Sequence, residues 1–263
     1  MSIRSSIRRA VPRAARPGVF IQKITTVKTS GRVWSGPFSG MKYLDEAIGS
    51  AITPKLLGIY ERELHEAISE VLKCQTGTVI NIGAGEGYYA VGVARAIPDC
   101  RVVAFETDET GRTMISKLAK LNNCGSSVEV RGTCDPLSLQ TVLSSVSDFP
   151  VTVICYVEGY EATLMDPILI PGLRDATIIV EMHEFAVRGI TELIRMRFKA
   201  SHRIENIRTV PRTASEYPFR TGVMRICPSK IVVRAIGEGR PEEMNWLWLR
   251  PLNPSEGVGA VER

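Results

Sequence analysis

The chain has 263 residues, enough for one large α/β domain or for one domain with an extension. Hydrophobic residues make up 44% of the sequence and charged residues 23%, which is ordinary for a soluble globular protein. The net charge of +5 is concentrated at the N-terminus, and the near-neutral remainder gives no indication of a nucleic-acid-binding surface. No apolar run approaches the roughly 20 residues of a membrane-spanning helix.

The N-terminal segment carries arginines that no acidic residue offsets: Arg4, Arg8, Arg9, Arg13 and Arg16. Such a segment is either an arm that contacts phosphates or a membrane surface, a transit peptide, or a disordered terminus; we expect the last of these. The cysteines are scattered without any C-x-x-C pair: Cys74, Cys100, Cys124, Cys134, Cys155 and Cys227. Several lie in apolar runs, which indicates reduced, buried thiols in a cytoplasmic protein and argues against a zinc site.

Beyond residue 77, short apolar runs alternate with longer amphipathic segments. The predicted strands are Thr78–Ile82, Arg101–Phe105, Val128–Arg131, Val151–Val157, Ala176–Glu181, His202–Thr209 and Asn245–Arg250. The predicted helices between them are Tyr88–Ile97, Thr110–Leu121, Pro136–Val146, Thr163–Leu169 and Gly189–Phe198. Apolar strands separated by helices indicate an α/β fold with a mostly parallel, seven-stranded sheet covered on both faces.

The residues before Pro54 lack this alternation. An amphipathic pattern predicts one helix from Pro54 to Leu72, leading directly into the first strand. We therefore predict two parts, a basic and partly disordered extension at 1–53 and a ligand-binding α/β domain at 54–263.

A glycine-rich loop follows the first strand, in the sequence Val79-Ile-Asn-Ile-Gly-Ala-Gly-Glu-Gly87. A G-x-G-x-G turn between a strand and a helix lets a ligand approach bare backbone, and the helix N-terminus offers free N–H groups. Glu106 ends the second strand, 21 residues after Gly85. An acid at this place and distance accepts hydrogen bonds from a ribose diol. A dinucleotide-binding loop would instead have its third glycine one position later.

This set of motifs resembles the class I S-adenosylmethionine (SAM) dependent methyltransferases, and among them the FkbM-type enzymes. The resemblance covers most of the chain after Val33 and includes Ile97–Glu106 and Leu121-Asn-Asn123. It also includes Val157-Glu-Gly-Tyr-Glu161, where Tyr156 replaces the leading Asp of the family's D-x-E-G-x-E signature, and Glu181-Met-His183. It implies a Rossmann-like fold and SAM as cofactor.

By that resemblance, a set of residues on the strand ends and on the helix that leads into the sheet would bind SAM: Asn81, Gly83, Gly85, Gly87, Glu106, Thr133 and Tyr60. The glycines and Asn81 would hold the methionine portion, Glu106 the ribose, and the Gly132–Cys134 segment the adenine. The usual residue at position 81 is acidic, so Asn81 lacks the charge attraction to the ligand's ammonium group. Tyr60 would close the pocket.

The predicted catalytic residues are Glu158, Glu181 and His183, because reacting groups of an open α/β sheet gather at the carboxyl ends of its strands. Methyl transfer requires the acceptor to be positioned and to lose its proton. His183 is the natural general base, with either acid orienting it. In an alternative interpretation the three residues bind a divalent ion such as Mg²⁺. Tyr156 replaces the acid that would supply a further oxygen ligand, so we favour metal-free catalysis.

The leading hypothesis is therefore O-methylation of a hydroxyl on a saccharide or secondary metabolite, where the acceptor class comes from the resemblance alone. A second hypothesis is a SAM-consuming cyclase or lyase that needs no acceptor, motivated by Tyr156 and the tyrosines nearby: Tyr88, Tyr89 and Tyr160. A third is a non-catalytic SAM-binding module.

Two later segments are less specific. Arg208–Arg220 is typical of a long loop, and its Arg212, Tyr217 and Arg220 are candidates for contacting the acceptor. Trp246 and Trp248 share one face of the last strand, which either packs in the core or forms a homodimer contact.

Overall fold

The computed structural model describes residues 17–48, 51–74, 76–146, 150–240 and 243–252. The predicted disordered, arginine-rich segment lies outside these residues. The chain forms two compact units by its internal contacts. We call Met1–Arg62 with Val210–Pro241 the helical unit, and Glu63–Thr209 with Glu242–Arg263 the sheet unit. The division at residue 53 stays a prediction.

The sheet unit contains seven strands in the order β3-β2-β1-β4-β5-β7-β6. They are β1 Thr78–Ile82, β2 Arg101–Phe105, β3 Val128–Arg131, β4 Val151–Cys155, β5 Thr177–Met182, β6 His202–Arg208 and β7 Asn245–Pro251. β7 is antiparallel to β5 and β6, and the pairs from β3 to β5 are parallel. This confirms the predicted seven-stranded, mostly parallel sheet. Every residue of β1 and β4 is buried because these strands are central and covered on both faces.

The helices are α1 Pro17–Thr29, α2 Ile52–Leu57, α3 His65–Lys73, α4 Tyr88–Ala96, α5 Glu109–Leu121, α6 Pro136–Ser144, α7 Glu161–Leu164, α8 Ile190–Phe198 and α9 Ser229–Ile236. Side-chain caps fix two of the helix starts that follow strands. The Asp108 carboxylate accepts from the Gly111 N–H at 2.9 Å at the start of α5. Asp135 accepts from the Ser138 N–H at 2.7 Å at the start of α6, where proline takes the first helical position.

The predicted single helix from Pro54 to Leu72 is wrong, because the helix is interrupted at Gly58. Gly58 has φ of 72°, and a Cβ there would lie 1.9 Å from the Ser35 carbonyl oxygen. α2 therefore ends at Leu57, a 3-10 turn follows at Arg62–Leu64, and α3 begins only at His65. The signal in the sequence was the glycine itself, since a glycine inside a helical pattern weakens the prediction of a continuous helix.

The predicted helix at Thr163–Leu169 is also wrong, since α7 ends at Leu164. Asp166 precedes a proline, which disfavours the helical conformation at that residue. The Asp166 carboxylate instead accepts from the N–H groups of Ile168 and Leu169, at 2.9 and 3.3 Å. A 3-10 turn at Pro171–Asp175 then leads into β5.

The helical unit has its own apolar core, built where α1, α2 and α9 meet. Its buried members are Ile21, Leu57, Tyr217, Met224, Val232 and Ile236. Tyr217 is only 2% exposed and its hydroxyl lies 3.3 Å from Thr25 Oγ1, so it is a packing residue here and not an exposed loop contact. α1 and α9 were not predicted from the sequence. The predicted loop at Arg208–Arg220 begins at the last residue of β6 and contains one 3-10 turn, Ala214–Glu216.

A group of buried charges also holds the helical unit together. The Glu238 carboxylate accepts from the Arg212 guanidinium and, at 2.8 Å, from Arg240 Nε. Arg240 also pairs with Glu61, which is fully buried, and the Glu61 N–H donates to Glu238 at 2.9 Å. The group joins chain segments that are 177 residues apart. We call these four residues the buried ion cluster.

Trp246 and Trp248 on β7 are 0% and 2% exposed, so both pack in the core of the sheet unit. The Arg250 guanidinium lies over the Trp248 ring, 3.8 Å from its centroid. Within the described residues, no helix combines the length and the apolar character needed to cross a lipid bilayer.

Candidate active site

The loop after β1 is formed by three glycines that all have positive φ, with values of 71° at Gly83, 57° at Gly85 and 98° at Gly87. Packing excludes a side chain at the first of them and leaves little room for one at the third. A Cβ at Gly83 would lie 1.8 Å from the Tyr156 carbonyl oxygen, and one at Gly87 would lie 3.3 Å from the Ile115 side chain. At Gly85 a Cβ would meet nothing within 4 Å. The middle glycine is therefore the one whose backbone faces open space.

Glu106, directly after β2, reaches this loop. Its Oε2 accepts from the Gly85 N–H at 2.7 Å, and its Oε1 accepts from the Asp108 N–H at 2.8 Å. Glu106 is half-buried, and two backbone donors hold its carboxylate in one orientation. A carboxylate has about four lone-pair positions, so this one can accept further hydrogen bonds from a ligand.

Asn81 lies in β1 and is 1% exposed. Its Nδ2 faces the Ile154 carbonyl oxygen at 3.4 Å, whereas its Oδ1 has no hydrogen-bond partner among the described residues. A buried acceptor without a partner is costly, and it is a position where a ligand donor group would be stabilised.

The segment after β3 contains the residues predicted to line an adenine. Thr133 is exposed, and Cys134 is 5% exposed beneath it. Burial raises the pKa of the Cys134 thiol to about 12, with the Asp135 charge adding to the rise, so this cysteine is a neutral packing residue.

Tyrosine rings gather at the carboxyl ends of β1 and β4. The Tyr156 ring, in the position where the resemblance expects an acid, stacks on Tyr89 with centroids 5.7 Å apart and an interplanar angle of 22°. Tyr88 meets Tyr89 edge to face at 5.4 Å. Tyr88 and Tyr89 are buried, so their rings are packed at this end of the sheet.

At the end of β5, His183 lies between two carboxylates. Its Nδ1 is hydrogen-bonded to Glu161 Oε1, and its Nε2 lies 3.2 Å from Glu181 Oε2. All three residues are buried, with side-chain exposures of 0% for Glu161, 5% for His183 and 8% for Glu181. The imidazole therefore has an acid on each of its two nitrogen edges.

This arrangement favours the charged form of His183. Burial alone would lower its pKa, but the hydrogen bonds and charges of Glu161 and Glu181 outweigh that effect and raise the pKa from 6.5 to about 9. At neutral pH the ring is thus an imidazolium that donates from both nitrogens. It becomes a proton acceptor only when the Nε2 proton leaves.

Glu161 occupies the place beside His183 that was predicted for Glu158. Glu158 is exposed, has φ of 45°, and forms no hydrogen bond or ion pair with another described residue. Gly159, with φ of 104°, continues the turn that carries the chain on to Glu161 at the start of α7. Glu161 was available in the sequence as the last acid of the Val157–Glu161 motif.

The described residues contain no group of three or more histidine, cysteine or acidic side chains arranged to hold a metal ion. The geometry at His183 also disfavours a shared metal ion at that position. Glu161 and Glu181 lie on opposite edges of the ring, so one ion cannot contact both acids and a ring nitrogen together.

Tyr60, the remaining predicted ligand contact, belongs to the helical unit. There the Lys55 ammonium lies over its ring, 4.7 Å from the centroid.

No family model matches the sequence, and no curated protein matches it. Similar solved structures include the O-methyltransferase from Bacillus cereus in complex with SAH, 15% identical, with 69% of this chain and 78% of that chain covered and a TM-score of 0.45. Another is the Streptomyces achromogenes O-methyltransferase involved in tomaymycin synthesis, in complex with SAM. It is 14% identical, the match covers 69% of this chain and 77% of that chain, and the TM-score is 0.45. A third is precorrin-6y C5,15-methyltransferase from Geobacter metallireducens, 12% identical, with 70% and 87% covered and a TM-score of 0.44.

The strand order of this chain, with β7 inserted antiparallel between β5 and β6, is that of the Rossmann-like methyltransferase fold. The fold predicted from the sequence is therefore confirmed.

Proposed function

We propose that this protein is a SAM-dependent methyltransferase that methylates a hydroxyl group of a small molecule, with a saccharide or secondary metabolite as the acceptor. The observation that carries the proposal is the hydrogen bond from the Gly85 N–H to the Glu106 carboxylate, beside open space over Gly85. This hydrogen bond joins the glycine loop after β1 to the oriented carboxylate after β2. A loop without side chains beside such a carboxylate is the arrangement that binds the ribose of an adenosine.

The residues present suit SAM. Glu106 would accept the ribose hydroxyls, and the unpartnered Oδ1 of Asn81 is an acceptor for the ligand's amino group. The backbone of Gly83, Gly85 and Gly87 would surround the methionine portion, and Thr133 would adjoin the adenine. SAM supplies the electrophilic methyl group when it is bound.

The chain's own chemistry is assigned to the ends of β4 and β5. Glu161 on the Nδ1 edge has no exposed side-chain surface and Glu181 on the Nε2 edge keeps 8%, so we assign the acceptor to the Nε2 edge of the ring. The acceptor hydroxyl loses its proton to Nε2 once that nitrogen is unprotonated, and Glu181 stabilises the resulting imidazolium. Glu158, exposed at the end of β4, would orient the acceptor.

Isothermal titration calorimetry with SAM tests the first half of this proposal. We expect the wild-type protein to bind SAM and Gly85→Ala to bind it at least about tenfold more weakly, because a Cβ would occupy the space over the loop. Gly222→Ala is the matched control, since Gly222 has φ of 54° and equally open surroundings but lies in the helical unit. Absence of SAM binding by the wild-type protein would overturn the proposal.

One observation favours a second candidate function, in which SAM is cyclised or cleaved without an acceptor. The Tyr156–Tyr89 stack places aromatic surface where the resemblance expects an acid, and aromatic faces attract a sulfonium cation. Mass spectrometry of SAM incubated with the enzyme alone distinguishes the two. Methylthioadenosine formed without any acceptor supports this second function, and SAM that stays intact supports the methyltransferase.

A further inference from the structure

We propose that Glu161 is a positioning residue that fixes the orientation and the proton-accepting nitrogen of His183, in place of Glu158. This inference rests on the proposed function, because His183 needs a defined proton-accepting nitrogen only if it acts as the base in methyl transfer. The contacts from which we argue do not involve SAM. Glu161 is fully buried, so it cannot touch an acceptor and acts only through the imidazole ring.

The two ring nitrogens are not equivalent. Nδ1 is held by Glu161 in the interior, whereas Nε2 faces Glu181, whose side chain keeps 8% of its surface exposed. A hydrogen bond from Nδ1–H to a buried carboxylate fixes the tautomer, so that the proton gained or lost is the one on Nε2. The second oxygen of Glu161 has no partner among the described residues, so His183 is the hydrogen-bond partner that holds this acid.

The position of Glu161 depends on an anchor from another helix. α7 has four residues, too few to form a stable helix by itself. The Arg197 guanidinium of α8 donates to the carbonyl oxygens of Ala162 and Met165, at 2.5 and 3.1 Å, and pairs with Asp166 at 3.0 Å. These contacts fix the backbone of α7 and of the two residues that follow it. Glu161, at the start of α7, therefore reaches His183 from a fixed backbone.

The proton step follows from this geometry. The O–H bond of the acceptor breaks, its electron pair stays on the oxygen, and the proton passes to the unprotonated Nε2. The groups that face the ring are Glu161 from α7, Glu181 from β5 and, behind the two acids, the Cys155 thiol of β4. Burial and the two acids raise the pKa of that thiol well above its usual value, so Cys155 stays neutral.

The experiment is an NMR titration of the histidine rings. The chain has three histidines, so each ring signal can be assigned from three single substitutions. We expect His183 to titrate near 9 in the wild-type protein and to move toward 6.5 in Glu161→Gln, which keeps the shape of the side chain but removes its charge. Burial lowers the pKa of His202, which serves as an internal reference that the substitution leaves unchanged.

Glu158→Gln is the matched control, and we expect it to leave the His183 titration where it is. The proposal is overturned if the wild-type His183 titrates at or below 6.5, or if Glu158→Gln shifts it and Glu161→Gln does not. If Glu161→Gln fails to fold, a wild-type titration at or below 6.5 still overturns the proposal.

This titration needs no SAM, so its outcome is separate from that of the calorimetry. Where SAM binding is found, the pH profile of methyl transfer supplies the second measurement. The rate should rise with pH up to about 9 in the wild-type enzyme, and the rising limb should lie at lower pH in Glu161→Gln. A residue with a purely structural role would lower the rate without moving the limb.

Discussion

The Glu106 carboxylate accepts a hydrogen bond from the Gly85 N–H at 2.7 Å, and this contact links the ends of β2 and β1. It shows that the two sequence signals used to infer a ribose-binding acid, one on each strand, meet in space. The Asp108 N–H binds the other oxygen, so the acid is oriented before any ligand arrives. Such preorganisation lowers the entropy lost on binding.

Replacing Glu106 by Gln should weaken SAM binding about tenfold to a hundredfold. A Gln side chain has one acceptor oxygen, so its amide group would face a backbone donor and the ribose would lose a charged partner; a hydrogen bond to a charged group contributes about 1.5–3 kcal/mol. Titration calorimetry measures the change. Glu109→Gln, an exposed acid in the first turn of α5, is the control and should leave affinity within about twofold. Equal affinities for wild type and Glu106→Gln would exclude the ribose assignment.

Gly83→Ala should destabilise the fold more than Gly85→Ala. Both substitutions place a side chain at positive φ, which costs about 1–2 kcal/mol. Only at Gly83 does the new Cβ also collide with backbone, the Tyr156 carbonyl oxygen at 1.8 Å. We expect Gly83→Ala to lose at least about 2 kcal/mol more of the free energy of unfolding in urea. Equal losses would show that the ends of β1 and β4 separate easily.

The sheet could be predicted from the sequence because its strands are local apolar runs whose burial follows from their composition. The breaks at Gly58 and before Pro167 were missed because helical periodicity continues across both positions. At Gly58 the close approach of Ser35, a contact between distant residues, helps to decide the conformation.

The candidate site likewise has a part that local sequence predicts and a part that depends on contacts between distant residues. The glycine loop and Glu106 are short-range signals, and the structure brings them together. The choice between Glu158 and Glu161 depends on the turn at Glu158 and Gly159, both with positive φ, and on the anchoring of α7 by Arg197. The sequence contains both acids but no local signal of which one faces His183.

The buried ion cluster of the helical unit should be sensitive to the loss of one partner. Arg240→Met leaves Glu61 and Glu238 buried without their shared cation, a change that costs about 3–5 kcal/mol in comparable buried pairs. Hydrogen exchange of peptides from 210–240 should show faster opening. Arg225→Met, an exposed substitution in the same unit, should change exchange little. Unchanged protection in Arg240→Met would mean that apolar packing alone holds this segment.

The same cluster should weaken in acid. Burial raises the pKa of Glu238, but Arg240 and Arg212 outweigh burial and hold the pKa below its usual 4.5. A depressed pKa means that the stabilisation is present above 4.5 and is lost as the pH falls through the folded-state value. Protection of 210–240 in the wild-type protein should therefore fall toward that of Arg240→Met as the pH is lowered from 4.5 through the folded-state pKa of Glu238.

The pH dependence of stability at His183 has the opposite sign. The folded-state pKa of about 9 lies above the ordinary 6.5, so the folded protein binds a proton more tightly than the unfolded chain. The resulting stabilisation is complete below pH 6.5, declines between 6.5 and about 9, and is absent above that range. We expect the free energy of unfolding of the wild-type protein to fall across this window more steeply than that of Glu161→Gln. Groups that titrate equally in both proteins cancel in the difference, so a difference that is constant from pH 6.5 to 9 would show that Glu161 does not set the protonation of His183.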